Sequence, residues 1–346
     1  ADKHYRCRIA KLPFDIVHVH SPFVVGHEAR MLARRYHIPL VATFHSKYYD
    51  DFYRATSSRL IARACVRSIV RFYKSCDEVW AVNRLTADVL RGYGYRGKIV
   101  IMPNGTNPQT VTDETRSRAR EAYPLREGVP TLMFAGQQDF KKNIGSILEA
   151  CALLQKQGMD FQMIMVGEGP NLKQIKQRVR ELGMAERFVF TGFLSDRPLL
   201  LALYERADLF VFPSLYDNAP MVVREAASMS TPALLVRGSC SSEGIVDGEN
   251  GYLCSNTVED IARGVREALP TASEVGRRAK ETIPIPWDQL MEQVVARYQA
   301  LIEKKQSEHV PLFRKERDAL REMIRSDYRL AGMRPQDIRC GAAIVT

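Results

Sequence analysis

Long apolar runs are missing from this sequence. No stretch approaches the ~20 apolar residues that a membrane-spanning helix requires, and the first residues, ADKHYR, are charged where a secretory signal would be apolar. With 45% apolar and 26% charged residues, the 346-residue chain has the composition of a folded protein, and its length favours two domains. We therefore expect a soluble or peripheral protein.

Closely spaced cysteine pairs are also missing. The seven cysteines are odd in number and scattered, at positions 7, 65, 76, 151, 240, 254 and 340. Metal sites and redox motifs use pairs that lie a few residues apart. We therefore expect reduced, mostly buried thiols and a cytoplasmic protein, which can also lie at the inner face of the cell membrane.

Acidic residues are scarce in the N-terminal third. Residues 1 to 107 contain 18 Lys and Arg against 8 Asp and Glu, whereas the rest of the chain contains 32 of each. The whole net charge of +10 thus lies in one segment. This asymmetry predicts an anionic partner, which can be nucleic acid, a membrane surface or an acidic acceptor. Nucleic acid is the least favoured of these, because no recognition motif or interleaved aromatics accompany the basic residues.

Short apolar runs recur along the chain, each followed by a stretch with helical spacing, and this alternation predicts α/β domains with parallel sheets. The runs cover 15–19, 40–43, 78–82, 98–101, 131–135, 162–166, 188–190, 208–212 and 233–236. A polar stretch from Thr106 to Glu127 separates the two series. We predict an N-terminal domain over 1–110, a second domain over 128–285, a long helix over 286–306, and a basic helical extension with a tail over 307–346.

A strand that ends in glycine and continues into lysines is the first candidate for chemistry. It reads Phe134-Ala135-Gly136-Gln137-Gln138-Asp139-Phe140-Lys141-Lys142-Asn143, with a helix predicted from Ile144. Glycine at the carboxyl end of a parallel strand lets a ligand approach the backbone, and lysines there can meet a phosphate as point charges. The alternative is an ordinary turn with two solvated lysines.

The second candidate is the loop and helix start within 212–226. Asn218 can cap the helix and Pro220 suits its first turn, so free backbone amides point out of the strand end. Asp217 lies in the loop and Glu225 lies inside the helix, so both carboxylates can face one cleft and bind ligand hydroxyls. The alternative is a plain cap and a surface glutamate.

Histidines mark the third candidate. His18 alternates within a predicted strand and is expected to be buried, whereas His20 and His45 fall at or past the ends of two strands. The carboxyl ends of parallel strands are the ligand-binding edge of such sheets. His20 and His45 are therefore expected at that edge.

A basic amphipathic helix is predicted after these strands. Four arginines recur at four-residue spacing, with Lys74 on the same side, and the opposite face is predicted to be apolar. The arginines are Arg59, Arg63, Arg67 and Arg71, and the apolar face is Ile61, Cys65, Ile69 and Phe72. Such a helix can lie on anionic lipid. The alternative is a solvated arginine face over an ordinary core stripe.

Taken together, these elements resemble the retaining glycosyltransferases of family 4, which have the GT-B fold of two Rossmann-like domains. The resemblance covers the chain to about residue 305 and includes further segments in the family's order. These are Pro103–Gly105, Val166–Pro170, Thr191–Leu194 and Asp247–Leu253. It implies that the C-terminal domain binds a nucleotide-diphosphate sugar and the N-terminal domain binds a sugar, lipid or envelope-glycan acceptor. Neither a metal nor another cofactor is implied.

The resemblance also implies roles for individual residues. Lys142 matches a lysine on the donor diphosphate, Glu225 a glutamate on the ribose, and His45 a histidine beside the reacting sugar. Asp217 stands at the family's first glutamate and is implied to be catalytic with these three. The implied donor contacts are Gly136, Gln137, Lys141, Phe193, Leu194, Asn218, Ala219, Pro220 and Met221. His20 and Lys47 are expected on the acceptor side.

The sequence departs from the family pattern at three places. Gln137 stands where the family has an arginine on the diphosphate, and a neutral amide cannot supply that charge. Pro220 replaces a glycine and removes one amide donor. The family's opening strand and glycine-rich loop are not found, so we expect an incomplete N-terminal domain.

The resemblance predicts a hexosyltransferase that works with retention, in lipid-linked or cell-envelope glycan synthesis. Two other classes stay open at this stage. One is a GT-B-like sugar-nucleotide epimerase or phosphorylase, which would use the same fold on a related substrate. The other is a catalytically impaired sugar-nucleotide-binding protein, which the three departures would suit.

Overall fold

The computed structural model describes residue 12 and residues 14–107, 109–308 and 342–345. Its contacts divide the chain into two compact units. Unit 1 comprises Ala1–Pro103 and Leu290–Thr346, and unit 2 comprises Asn104–Gln289. The chain therefore leaves unit 1, builds unit 2 and returns to unit 1 along one helix.

Unit 1 is a parallel sheet with helices on its two faces. Its strands are β1 (Ile16–Val19), β2 (Leu40–Phe44), β3 (Glu78–Ala81), β4 (Ile99–Ile101) and β11 (Ala342–Val345), in the order β11-β1-β2-β3-β4. Its helices are α1 (Val24–Tyr36), α2 (Tyr48–Thr56), α3 (Arg59–Tyr73), α4 (Arg84–Gly92) and α12 (Trp287–Ser307), which begins in unit 2. All four strand pairs are parallel.

Alternation along the strands of unit 1 gives the sheet two apolar faces. On one face, residues such as Val17, Leu40 and Val79 join the helices α1, α3 and α4 in one core cluster. On the other face, Ile16, Val41 and Trp80 contact α12 through the residues Leu290, Val294 and Tyr298. Helix α12 is thus an integral layer of unit 1.

Unit 2 is a six-stranded parallel sheet. Its strands are β5 (Thr131–Ala135), β6 (Gln162–Val166), β7 (Phe188–Gly192), β8 (Leu209–Val211), β9 (Ala233–Val236) and β10 (Tyr252–Cys254). Its helices are α5 (Asp113–Ala122), α6 (Ile144–Lys156), α7 (Leu172–Glu181), α8 (Arg197–Arg206), α9 (Met221–Ser228), α10 (Val258–Ala268) and α11 (Ala272–Thr282).

In the sheet of unit 2, the direction in which successive strands are added reverses between the neighbouring strands β5 and β8. The order is β10-β9-β8-β5-β6-β7, so the chain builds outwards from β5 in one direction and then resumes on its other side with β8. In open α/β sheets, ligands bind outside the carboxyl ends of the strands at such a reversal. The segments that follow β5 and β8 are the first two sequence candidates.

The polar stretch between the two series of strands contains the helix α5, which belongs to unit 2. Thr112 caps α5 by accepting a hydrogen bond from the amide of Thr115. The helix packs on α8, with a fully buried Ala119 and an ion pair between Arg116 and Glu205. The units divide at Pro103 and Asn104, just before this stretch.

The predicted strands are confirmed, most of them to within one residue. The predicted basic helical extension over 307–346 lies almost wholly outside the described residues. Within that range the structure gives Ala342–Val345 as a strand beside β1. None of the helices in the described part of the chain has the length and apolar character required to cross a bilayer.

Candidate active site

Glycines bring the ends of β5 and β6 into close contact in unit 2. The amide of Gly136 donates to the carbonyl of Val166 at 3.0 Å. Gly167 has a φ of +116°, and a Cβ placed there would lie 2.1 Å from the carbonyl oxygen of Gly136. Only glycine permits this approach at a positive φ. The backbone after β5 is therefore held firmly where a ligand would meet it.

Local hydrogen bonds then place Lys142 at the reversal point. Asp139 caps the short 3₁₀ turn Phe140–Lys142. Asn143 follows with a φ of +62°, and its side-chain amide donates to the carbonyl of Pro213, directly after β8, at 3.1 Å. Asn143 thus ties the loop after β5 to the loop after β8. Lys142 is fixed between these two strand ends.

Lys142 and Asp217 form an ion pair. The Nζ of Lys142 donates to Oδ1 of Asp217 at 2.5 Å, and the hydroxyl of Ser214 donates to Oδ2 at 2.6 Å. Both charged side chains are mostly buried, with 13% and 18% exposure. The amines of Lys141 and Lys142 also lie over the ring of Tyr216, at 5.0 and 5.1 Å from its centroid. Two of the predicted site residues are therefore in direct contact.

The two glutamines after Gly136 differ in their surroundings. Gln138 is fully buried, and its Nε2 donates to the carbonyl of Val166 at 3.0 Å. Gln137, at the family's arginine position, is exposed. The positive charge in this loop comes from Lys141 and Lys142.

The start of α9 differs from the sequence prediction. We expected Asn218 to cap this helix, but the capping position is Pro220, which makes no side-chain capping hydrogen bond. The prediction was wrong because Pro220 has an extended ψ of 128°, which places the helix start two residues later. Asn218 is buried instead, and the side chain of Asn104 donates to the carbonyl of Ala219 at 3.2 Å. Met221 is the first helical residue.

Glu225 is buried and paired with a residue that sequence reasoning missed. The residue is 7% exposed, and its carboxylate accepts a hydrogen bond from Nη1 of Arg197, the first residue of α8, at 2.9 Å. Burial and the nearby Glu225 raise the pKa of Tyr204 well above its usual range. The only feature of the sequence that could have indicated Arg197 was its position three residues after the Thr191–Leu194 segment.

Within that segment Phe193 is 71% exposed, whereas Leu194 packs against the core.

Unit 1 brings three histidines together at the ends of β1 and β2. His18 is buried, as predicted, with its Nδ1 2.5 Å from the hydroxyl of Tyr298 and its Nε2 2.7 Å from that of Thr43. His20 stacks on His18 with ring centroids 4.5 Å apart. Nδ1 of His20 lies 2.8 Å from Nε2 of His45. Lys47, two residues further on, occupies the N-cap position of α2.

The environment of these histidines disfavours protonation. Burial, together with the neighbouring His20 and His45, lowers the pKa of His18 to about 3. Burial and His20 lower the pKa of His45 to about 4, and burial lowers the pKa of His20. All three rings are therefore neutral at pH 7.

Acidification should destabilise unit 1. Between the usual histidine pKa of about 6.5 and the folded value of about 3, unfolded His18 binds a proton that folded His18 does not, so stability falls as pH falls. By pH 5 this costs about 2 kcal/mol from His18 alone. Denaturant unfolding from pH 7.5 to 5.0, followed by Trp80 fluorescence in a Trp287→Phe background, measures it.

The matched variants are His18→Leu and His27→Gln. The first should reduce the pH dependence by the contribution of His18, while that of His45, whose pKa is also lowered, should remain. The second removes an exposed histidine of α1 and should leave the dependence unchanged. Equal pH dependence in wild type and His18→Leu would contradict this account of the histidine cluster.

The four arginines of α3 lie at the surface. Arg59, Arg63, Arg67 and Arg71 are all exposed. No ion pair joins them to another residue in the part of the chain that the structure describes. One prediction for the opposite face was wrong: Ile61 is 48% exposed, because it lies in the first turn next to an exposed Leu60 and not over the core. The buried stripe is Ala62, Val66, Ile69, Val70, Phe72 and Tyr73.

Comparison with known families gives matches over most of the chain. Residues 115–282 match the model described as glycosyl transferases group 1, and residues 3–110 match glycosyltransferase family 4. The sheets, helices and strand reversal described above agree with that description. The chain is a glycosyltransferase family 4-like protein with a GT-B-like fold.

Individual relatives are distant. An α-monoglucosyldiacylglycerol synthase of Streptococcus pneumoniae is 25% identical over 74% of this chain. A glycogen synthase of Mycobacterium tuberculosis is 26% identical over 77% of it. The chain spans 59% and 63% of the lengths of these two relatives.

Solved structures share the fold. Anabaena HepE in complex with UDP superposes with a TM-score of 0.71 at 16% identity, over 86% of this chain and 81% of that one. Sucrose-phosphate synthase from Thermosynechococcus elongatus gives a TM-score of 0.75 at 20% identity, over 87% and 77%. At these identities the likeness establishes the fold alone.

The predicted site residues of this family 4-like protein thus fall into three groups. Lys142, Asp217 and the loops after β5 and β8 form one group in unit 2, and Glu225 with its partner Arg197 forms a second. His20 and His45 are in contact in unit 1. Within the described residues, no group of three or more His, Cys, Asp or Glu is arranged to hold a metal ion.

Proposed function

We propose that this protein transfers a hexosyl group from a nucleotide-diphosphate sugar to an acceptor hydroxyl, with retention of configuration. The observation that carries the proposal is the mostly buried Lys142, fixed where the strand order of unit 2 reverses. A cation there can bind a diphosphate. The family matches and relatives named as a mannosyltransferase and a glucosyltransferase support the same chemistry.

Departure of the nucleoside diphosphate is the step that needs help. In this proposal the amine of Lys142, the neighbouring Lys141 and the free amides at the start of α9 stabilise the charge that develops on the leaving group. The pairing with Asp217 holds the Lys142 amine in place before the donor binds. Asp217 and Glu225 then supply acceptors for hydroxyls of the sugar and ribose.

Contacts to the donor's base and sugar complete this proposal for unit 2. The exposed ring of Phe193, with Leu194 beside it, would stack on the nucleobase. The segment Asn218–Met221 would bind donor-sugar hydroxyls, with Pro220 contributing no amide. Gly136 would let the diphosphate approach the backbone, and Gln137 would contribute a neutral amide contact. No resident cofactor takes part in this scheme.

Unit 1 is proposed to bind the acceptor through His45, His20 and Lys47. A neutral imidazole both donates and accepts a hydrogen bond, which suits a hydroxyl group. The acceptor class we favour is a lipid-linked sugar or an envelope glycan. A relative named as an α-monoglucosyldiacylglycerol synthase motivates this choice.

A panel of sugar nucleotides tests the proposal against its alternatives. Each UDP-, GDP- and ADP-sugar is incubated with the protein and lipid or sugar acceptors, and products are identified by NMR. Formation of a glycosidic bond supports the transferase. Epimerised donor, or phosphate-dependent cleavage, would indicate an epimerase or phosphorylase. Donor binding without any turnover would indicate an impaired, binding-only protein.

We further propose that α3 attaches the protein to the inner face of an anionic membrane. Its four exposed arginines lie beside exposed Leu60 and Ile61, so charge and apolar surface are adjacent. Basic residues gain about 1 kcal/mol each near anionic lipid, and apolar side chains can insert between headgroups. The alternative is that water alone covers this face.

Removing Arg63 and Arg67 should weaken membrane binding. At about 1 kcal/mol each, Arg63→Ala/Arg67→Ala should lower partitioning onto phosphatidylglycerol vesicles roughly thirtyfold. Sedimentation at low and high salt measures this. The control Arg266→Ala/Arg277→Ala removes the same charge from unit 2. Equal binding of both double variants would show that α3 is an ordinary solvated face.

A further inference from the structure

The ring of Tyr216 lies beneath two lysines of the candidate donor site. The amine of Lys141 lies 5.0 Å from the ring centroid, and the amine of Lys142 lies 5.1 Å from it. An ammonium within about 6 Å of an aromatic ring is attracted by the negative face of that ring. One ring therefore attracts the amines of both lysines, and the proposed function gives it no role.

A buried serine fixes the loop that carries this ring. Ser214 follows β8 and is fully buried. Its Oγ accepts a hydrogen bond from the amide of Tyr216 at 3.3 Å, and its hydroxyl donates to Oδ2 of Asp217 at 2.6 Å. Asp217 in turn accepts the bond from Lys142. The backbone of Tyr216 and the carboxylate partner of Lys142 are thus fastened to the same hydroxyl.

Each lysine also has a carboxylate partner. Lys141 pairs with Asp139 at 3.3 Å, and Lys142 pairs with Asp217 at 2.5 Å. A carboxylate holds an ammonium but cancels its charge, and it repels a diphosphate. An aromatic face attracts the ammonium and carries no net charge. Since an ammonium has three donors, it can exchange a carboxylate for a phosphate oxygen while it keeps its contact with the ring.

The positive charge of this loop depends on two flexible side chains. The neighbouring Gln137 is neutral, and each lysine carries its charge on a four-carbon stem with several rotatable bonds. Fixing such a stem costs conformational entropy, which a contact made in advance reduces at the moment when the ligand binds. A ring that attracts both amines supplies such a contact to each of them.

We propose that Tyr216 is a positioning residue that holds the amines of Lys141 and Lys142 as a two-cation site for a diphosphate. Tyr216 acts through the two lysines and does not itself bind the diphosphate. The effect on sugar transfer rests on the proposed function, whereas the placement of the two amines does not.

NMR of the full chain, labelled with ¹³C at the lysine ε-carbons, tests the placement without any substrate. In wild type, the ring should shift the ε-methylene protons of Lys141 and Lys142 upfield of those of Lys173, an exposed lysine of α7. Tyr216→Phe keeps the ring and should keep this shift. Tyr216→Leu should return both signals to the position of the Lys173 signal. Lysine signals that stay in place in Tyr216→Leu would overturn the proposal.

Calorimetry with inorganic pyrophosphate tests the anion site. Loss of the contacts to both amines predicts about tenfold weaker binding in Tyr216→Leu, and Tyr216→Phe should keep most of the affinity. The matched control Phe190→Leu removes a ring of β7 that lies 5.2 Å from the amine of Lys176, and it should leave binding unchanged. Equal weakening in the two leucine variants, or no binding to wild type, would contradict the two-cation site.

A Lys141→Ala background tests whether the ring acts through both lysines. There Tyr216→Leu should weaken pyrophosphate binding by only about threefold, because Lys142 alone remains for the ring to hold. A tenfold effect that persists in full would show that Lys141 is not held by the ring, against the proposal.

The two proposals can fail separately. If pyrophosphate binding depends on the ring but no sugar nucleotide is turned over, the proposed transfer fails and the positioning role stands. If turnover is normal in Tyr216→Leu and its lysine signals do not move, only the positioning role fails. Should Tyr216→Leu not fold, Tyr216→Met replaces it, because methionine is flexible enough to fill the space and also lacks a ring.

Discussion

Lys142→Ala should lower turnover by about two to three orders of magnitude, the loss typical of one preorganised donor to a developing negative charge. The effect should be large because Lys142 is mostly buried and because the neighbouring Gln137 is neutral. The substitution also leaves the negative charge of Asp217 without its lysine partner. That charge would then repel the diphosphate. Steady-state kinetics with the donor identified in the panel measures the loss.

Two further variants make this result specific. Lys173→Ala removes an exposed lysine from α7 of the same unit and should leave turnover unchanged. Lys142→Arg keeps the charge but not its position and should retain part of the activity. A loss of less than about tenfold in Lys142→Ala would remove this residue from the assignment.

Gly167→Ala should destabilise unit 2 strongly. Its backbone φ is +116°, and the added Cβ would lie 2.1 Å from the carbonyl oxygen of Gly136. Backbone strain of about 1–3 kcal/mol is then joined by a clash that neither strand end can relieve without moving. We expect a loss of more than about 3 kcal/mol in the free energy of unfolding, measured by denaturant titration.

Gly183→Ala is the matched control. Gly183 also has a positive φ, of +68°, but nothing lies within 4 Å of the position of its Cβ. It should therefore lose only the backbone term of about 1–2 kcal/mol. If the two substitutions cost the same, the close approach of β5 and β6 does not contribute to stability.

Sequence patterns predicted nine of the eleven strands that the structure describes, β1 to β9, and missed β10 and β11. Strands such as Thr131–Ala135, Gln162–Val166 and Ala233–Val236 were predicted at their observed residues. Strands buried on both faces of a parallel sheet form unbroken apolar runs between polar segments, and such runs are visible in sequence. The burial of His18 was also predicted, from its position within a strand.

Other features depend on tertiary contacts and were not visible. Helix α5 has little apolar character, and the ion pair of Arg116 with Glu205 joins it to α8. Such a long-range pair is not visible in the sequence. The pair of Arg197 with Glu225 joins residues 28 positions apart, and neither residue type signals the other. The His20 to His45 bond likewise joins residues 25 positions apart and arises from strand register.

Local chemistry alone also misplaced two residues. Asn218 has a strong capping preference, but the extended conformation of Pro220 decided the helix start. Ile61 fits the apolar side of α3 by spacing, yet the first turn of that helix extends beyond the core. Propensity and periodicity describe an isolated helix, whereas the end of a helix is determined by what it packs against.

One measurement tests the central claim most directly. With donor and acceptor present, nucleoside diphosphate released and glycosidic bonds formed are counted in the same reaction by NMR, and the anomeric configuration of the first product is read. The account predicts equal amounts of both, dependence on acceptor, and the configuration of the donor. Release of nucleotide without a new bond, or a product of inverted configuration, would contradict it.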